Sequence, residues 1–121
     1  MALTDEQLRL LDETKEVHVR TRTGDRTIDT IIWIVVIDGT VYVRSVTGEA
    51  GRWYQRALAD PRVDILVDNE RIPFQAVHVD DQDEIETVSD ALRAKYNPGV
   101  SLDNMTDASV LNTTLRLEPA S

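Results

Sequence analysis

Polar and apolar positions change period several times along the chain, and each change marks an element. Thr4-Asp5-Glu6-Gln7 has the form of a capping box, Thr at the N-cap and Gln at N3, with Leu3 and Leu8 placed for a hydrophobic staple. A helix of about three turns is predicted to follow, ending near Thr14, with Leu8 and Leu11 on its docking face. From Glu16 the period becomes two: Val17, Val19 and Thr21 point one way, His18, Arg20 and Arg22 the other. Gly24-Asp25 breaks this strand. The next runs from about Arg26 to Ile37 and is β-branched and aromatic almost throughout, so both faces of its second half are expected to be buried. Asp38-Gly39 predicts a two-residue hairpin, because both residues tolerate the positive φ of a type I′ turn. In the returning strand Val41 and Val43 alternate with Tyr42 and Arg44.

Gly48 and Gly51 bracket a loop, and Arg52 to Ala59 reads as a short helix stopped by Asp60-Pro61. Val63, Ile65 and Val67 alternate in a further strand, and Asn69-Glu70 turns the chain into another, from about Arg71 to Val79. Pro73 lies early in that strand, where an edge position would excuse its missing N–H. The acidic run Asp80, Asp81, Asp83, Glu84, Glu86 precedes Ile85, Val88, Leu92 and Tyr96 at helical spacing, and Asn97-Pro98-Gly99 ends that helix. Thr113, Leu115 and Leu117 form a last strand. With no repeat, linker or low-complexity tract, residues 1–121 read as a single domain. The class is mainly β (α+β): about six strands in a small antiparallel barrel with two or three peripheral helices.

Charge narrows the partners. The chain has 121 residues, with 13 Lys+Arg against 22 Asp+Glu and a net charge of -9. That balance argues against nucleic acid or an anionic membrane as partner. Residues 20–56 run against it, with six arginines (Arg20, Arg22, Arg26, Arg44, Arg52, Arg56) and only four acids. A basic zone inside an acidic protein suits a small anionic ligand, or else its arginines are solvent-facing strand ends. The absence of cysteine removes disulfides, thiolate metal sites and cysteine nucleophiles. No apolar stretch approaches the roughly 20 residues of a membrane span, and the start has neither a basic nor an apolar leader region, so a cytoplasmic location is expected. The acidic run lacks the glycine of a calcium loop, and His18 and His78 have no companions at ligand spacing, so no metal site is expected. Nucleophile elbows, Walker loops and dinucleotide glycine fingerprints are all missing.

The remaining chemistry lies in Arg20-Thr21-Arg22-Thr23-Gly24-Asp25-Arg26, in Tyr42-Val43-Arg44-Ser45-Val46-Thr47-Gly48 and in Arg52-Trp53-Tyr54-Gln55-Arg56. Guanidinium forks and hydroxyls hold anions, glycine admits close backbone approach, and Trp and Tyr offer amphipathic ring surfaces. Equally, Trp53 and Tyr54 could simply pin their helix to the barrel.

The order Arg-rich turn, apolar strand with Trp, Asp-Gly hairpin, Tyr-Val-Arg-Ser-x-x-Gly, Trp-Tyr and Asp-Pro-x-Val resembles the FMN-binding split-barrel superfamily, the pyridoxamine-phosphate-oxidase-like proteins. Ser45, Gly48, Trp53, Tyr54, Leu58 and Pro61 are similar to deazaflavin-dependent nitroreductases. The whole chain, with Arg93-Ala94-Lys95-Tyr96 and Thr113 to Pro119, looks still more like a bacterial family of that clan with no defined function. The resemblance implies a split β-barrel, usually dimeric, with FMN or a deazaflavin coenzyme at the subunit interface and hydride chemistry carried by the cofactor. Carried over, Arg22, Thr23 and Arg26 would face the phosphate. Ser45 to Gly48 would line the ring or its ribityl chain, with Arg52 and Trp53 beside it. The candidate cofactor-binding set is Arg22, Thr23, Arg26, Arg44, Ser45, Gly48, Arg52, Trp53 and Tyr54. This chain departs from the nitroreductase pattern in its shortened Arg22-Thr23-Gly24 turn and in lacking a proline in the second strand. Tyr54 or Tyr96 could donate a proton, or could only pack. The implied function is a flavin- or deazaflavin-binding oxidoreductase. The alternatives are a dimeric binding module without turnover, a ligand-free interaction protein, and a haem-handling barrel using His18 or His78.

Overall fold

The computed structural model describes residues 3–120. Met1 and Ala2, where the expectation about the chain's start falls, and Ser121 lie outside them. The first helix, α1 (Asp5–Glu13), starts with the expected capping box: the Gln7 N–H donates to the Thr4 hydroxyl (3.1 Å) and the Thr4 N–H to the Gln7 side chain (3.0 Å). Leu11 is fully buried under the barrel and Leu8 only half-buried, so Leu10 and Leu11 carry the docking face.

Seven antiparallel strands follow: β1 (Glu16–Thr23), β2 (Arg26–Trp33), β3 (Val35–Ile37), β4 (Thr40–Val43), β5 (Arg62–Val67), β6 (Glu70–His78) and β7 (Leu115–Pro119). Helix α2 (Arg52–Ala59) links β4 to β5, and α3 (Gln82–Lys95) and α4 (Val100–Met105) lie between β6 and β7. Short 3-10 turns occupy Gly48–Ala50 and Ala108–Thr113. The sheet order is β2-β1-β5-β6-β7-β4-β3. The two outermost strands, β2 and β3, are therefore consecutive in the chain and separated only by Ile34. Crossing from one edge of a sheet to the other in one residue is possible only if the sheet curls into a barrel.

That junction corrects the sequence expectation of one long strand from Arg26 to Ile37. The chain breaks at Ile34 because its backbone groups bond to side chains instead of a neighbouring strand. The Ile34 N–H donates to the Tyr96 hydroxyl (3.0 Å), which itself donates to the Lys15 carbonyl (2.5 Å). The Ile34 carbonyl accepts from the Lys95 ammonium (2.7 Å), which also donates to the Leu11 carbonyl at the end of α1 (3.0 Å). Trp33 stacks on Tyr96 with ring centroids 3.9 Å apart. Ile31, on the outer face of β2, is 59% exposed, whereas every residue from Ile32 to Ile37 is buried or half-buried, as expected for the second half of that segment.

Two further corrections have simple causes. The β5–β6 turn is Asp68-Asn69, with Asp68 at φ +56°, one residue earlier than expected. Pro73 sits in an interior strand, not at an edge. Its carbonyl accepts from the Ala120 N–H (3.1 Å), so its backbone polar side faces the very end of β7, beyond the Phe74–Pro119 pair that begins the ladder. The Asp38-Gly39 hairpin has the positive φ values expected of it, +50° and +80°.

Two cores result. Inside the barrel Val17, Val19, Ile34, Val43, Ile65 and Phe74 pack together, closed by Leu11 of α1 and by Trp53, Tyr54 and Ala57 of α2. Outside it, α3 and α4 cover the opposite face of β3 and β4, where Val35 and Tyr42 meet Ile85, Val88, Leu92 and Met105. This second core explains why the β3 segment is apolar on both faces.

Removing the pin should loosen the junction. Tyr96→Phe leaves the Ile34 N–H buried without an acceptor, at about 1–3 kcal/mol, so thermal unfolding should fall by roughly 4–12 °C. An unchanged melting temperature would mean the hydroxyl is dispensable. Burial pulls the Lys95 ammonium down to about 8 and pushes the Tyr42 and Tyr96 hydroxyls up to about 12. Above pH 8 the unfolded chain therefore holds the lysine proton longer than the native one, and stability rises with pH; above about 10 unfolded tyrosines ionise first and it falls. Melting temperature followed against pH should climb and then drop, and Lys95→Met should flatten the climb. A climb that persists in the variant would sink this assignment.

Candidate functional site

The structure sorts the six arginines between positions 20 and 56 into three groups. Two are neutralised on the outer face of the sheet. Arg20 forms a bidentate pair with Asp29 (2.8 and 3.0 Å) across the β1–β2 register. Arg22 bonds to the Arg62 carbonyl (2.6 Å) and to buried Asp64 (3.1 Å), a carboxylate shared with Arg71. These contacts follow from strand alternation, which puts Arg20 and Arg22 on the face opposite Val19 and Thr21.

Arg44 forms the second group by itself. It is 2% exposed, under α3, and donates to the Thr114 hydroxyl (2.9 Å), the Ser89 hydroxyl (2.9 Å), the Met105 carbonyl (3.2 Å) and the Ile85 carbonyl (3.0 Å). None of these acceptors is a carboxylate. Burial, with Arg93 nearby, draws its ionisation down to about 10, leaving it charged at neutral pH.

Arg26, Arg52 and Arg56 form the third group, and among the described residues none of them pairs with a carboxylate. Arg52 and Arg56 line an open groove of about 390 Å³ with Thr23, Ile28, Gln55 and Ala59, between α2 and the inner face of β1 and β2. Arg26 stands opposite Thr23 in the strand register. The Arg56 guanidinium donates to the Thr21 hydroxyl (2.7 Å) and so ties α2 across the strand. Four positions along the same face of β2 from Ile28, Ile32 enters a second cavity of about 150 Å³ with Trp33, Arg44, Val46, Trp53, Ser101 and Met105. The separation of the two β2 positions is roughly 13 Å.

The Tyr-Val-Arg-Ser-x-x-Gly segment serves a turn. The Ser45 hydroxyl donates to the Gly48 carbonyl (2.8 Å), and the Gly48 N–H returns to the Ser45 carbonyl (3.0 Å). Gly51, the N-cap of α2, packs so closely on this turn that a Cβ there would lie 2.3 Å from the Ser45 hydroxyl. The turn thereby fixes where α2 begins and so where Arg52 and Trp53 point. Ser45 is fully buried and its N–H bonds to the Thr113 hydroxyl (3.1 Å). Tyr54 faces the barrel, its hydroxyl donating to the Asn112 carbonyl (3.4 Å) and pushed up in pKa by burial.

Of the residues proposed from sequence, the fold brings Thr23 and Arg52 to one groove, with Arg26 opposite Thr23 in the strand register, and Trp53 and Arg44 to the second cavity. It leaves Arg22, Ser45, Gly48 and Tyr54 outside both. Gln55 and Arg56 join the groove although sequence reasoning did not select them; their place one turn after Arg52 on a helix was the available signal. Ser101 and Met105 gave no such signal, since α4 reaches the cavity from the far end of the chain. No group of three or more His, Asp or Glu side chains that could hold a metal occurs among the described residues.

No curated protein matches the chain significantly. Solved structures do, at low identity. A putative pyridoxamine 5'-phosphate oxidase from Listeria innocua superposes with a TM-score of 0.71 at 17% identity, covering 97% of this chain and 93% of that one. The haem storage protein HutZ of Vibrio cholerae gives 0.74 at 17% identity, covering 100% and 92%. An FAD-binding protein of Mycobacterium smegmatis gives 0.64 at 19% identity, covering 98% and 91%. These likenesses establish the split-barrel fold of the pyridoxamine-phosphate-oxidase-like proteins. Residues 7–117 match the family described as an uncharacterized protein conserved in bacteria (DUF2255), and the chain belongs to that family.

Proposed function

We propose that this protein binds a flavin nucleotide, FMN or a deazaflavin coenzyme, with the anionic end in the arginine groove beside α2. The observation that carries this reading is Arg52 and Arg56 lining one groove with Thr23, and Arg26 opposite Thr23 in the strand register, cations without carboxylate partners among the described residues of an otherwise acidic chain. A ribityl phosphate chain attached to a tricyclic ring can span from that groove along β2 to the mouth of the tryptophan cavity. The likeness to an FAD-binding protein and a putative pyridoxamine 5'-phosphate oxidase supports the same choice. Bound flavin would supply hydride transfer to a small acceptor. The chain's part is to anchor the phosphate by charge-assisted hydrogen bonds, to offer aromatic surface and to keep β2 and α2 at fixed separation. β2 is an edge strand with its groove open, and a second copy laid along it would complete the site; light scattering should then report twice 13.7 kDa.

A binding module without turnover is the second reading. It is favoured by the engagement of both candidate proton donors: the Tyr54 hydroxyl bonds to Asn112 and the Tyr96 hydroxyl to Lys15, away from the groove. A reduced bound flavin that passes its hydride to no acceptor would select this reading over the oxidoreductase.

The test is a thermal-shift series with FMN, FAD, a deazaflavin coenzyme and haem. A ligand at about 100 times its Kd should add about 2.7 kcal/mol, a shift of several degrees. Arg52→Ala and Arg26→Ala are each expected to weaken flavin binding by about 1.5–3 kcal/mol. Arg22→Ala should instead leave affinity unchanged and lower stability by about 1–3 kcal/mol, because it strips a partner from buried Asp64. No shift with FMN or the deazaflavin coenzyme, or a shift with haem alone, would refute the proposal.

A further inference from the structure

We propose that the cavity between the two tryptophans is a binding site for a one-ring aromatic carboxylate. Its volume of about 150 Å³ is that of a cavity which holds a single benzene, and it is too small for a tricyclic flavin ring. Trp33, Trp53, Ile32 and Met105 give it aromatic and aliphatic walls, which select a flat apolar body.

The charge of the ligand follows from Arg44. This guanidinium lines the cavity, is 2% exposed, and has only neutral oxygens as acceptors. A buried cation needs a compensating anion far more than an exposed one does. Arg93, the nearby charge acting on it, has the same sign. Four bonds use four of the five guanidinium N–H groups, and Met105, whose carbonyl takes one of them, itself forms part of the cavity wall. A carboxylate entering the cavity would lie against the residue that carries this buried charge, with one Nη2 N–H still free to meet it. Ser101, at the rim, makes no side-chain hydrogen bond among the described residues and can donate to the same carboxylate. None of these residues lines the arginine groove proposed for the flavin phosphate.

The cavity carries its own reporter, because Trp33 and Trp53 are the only two tryptophans of the chain. Benzoate titrated into the full-length protein should change the tryptophan fluorescence saturably at millimolar concentration or below. Benzamide, the same shape without the charge, should bind about tenfold more weakly or worse, and benzylamine should not bind. Val46→Phe fills the cavity from a half-exposed wall position and should abolish the response while the protein stays folded. Arg44→Lys should retain part of the affinity and Arg44→Met should lose it. Should Arg44→Met fail to fold, the ligand-charge series and Val46→Phe still decide. Equal binding of benzamide, a response that survives Val46→Phe, or no saturable response to benzoate would each overturn the proposal. Flavin affinity is read separately through Arg52→Ala, so the two proposals can fail independently.

Discussion

One backbone residue holds this barrel closed. Ile34 is the single link between the two outer strands of a seven-stranded sheet, and neither its N–H nor its carbonyl belongs to a ladder. Buried backbone groups must find partners, and here Tyr96 and Lys95 supply them from the end of α3. The same two side chains also bond to Lys15 and to the last turn of α1. One pair of neighbours thus ties together α1, the start of β1, the β2–β3 break and α3. The half-buried lysine carries an energetic cost for its charge, visible in its lowered pKa, and the structure accepts that cost because two carbonyls at one corner need a donor.

The closed barrel then imposes a division on the arginines. Strand alternation sends Arg20 and Arg22 to the outer face, where Asp29 and Asp64 neutralise them. Helix α2, set by the tight Ser45–Gly48 turn and the close approach of Gly51, holds Arg52 and Arg56 over the inner face of the same two strands. Binding potential arises here from which cations were left without acids, not from how many the segment contains. Arg44 is the intermediate case: it joins β4 to α3, α4 and β7 through neutral acceptors and keeps its charge beside a cavity.

What the sequence by itself determined was local. The capping box of α1, the Asp38-Gly39 turn, the alternation of β1 and the helical spacing in α3 are fixed by contacts within a few residues, so their patterns could be interpreted directly. The class of fold followed from the short hairpin connections, and the basic zone was legible as a charge count. The tertiary structure decided the rest. No local signal marks Ile34 as a break, because the partners that make it one lie some sixty residues away on α3. Pro73 was misplaced for the same reason: whether its missing N–H matters depends on where β7 ends. Arg22 and Arg26 flank the same turn but take opposite faces of the sheet, and it is Asp64, forty-two residues from Arg22, that makes Arg22 a structural ion pair. Spacing along a chain specifies which face a side chain takes; what waits on that face is set by segments the spacing cannot see.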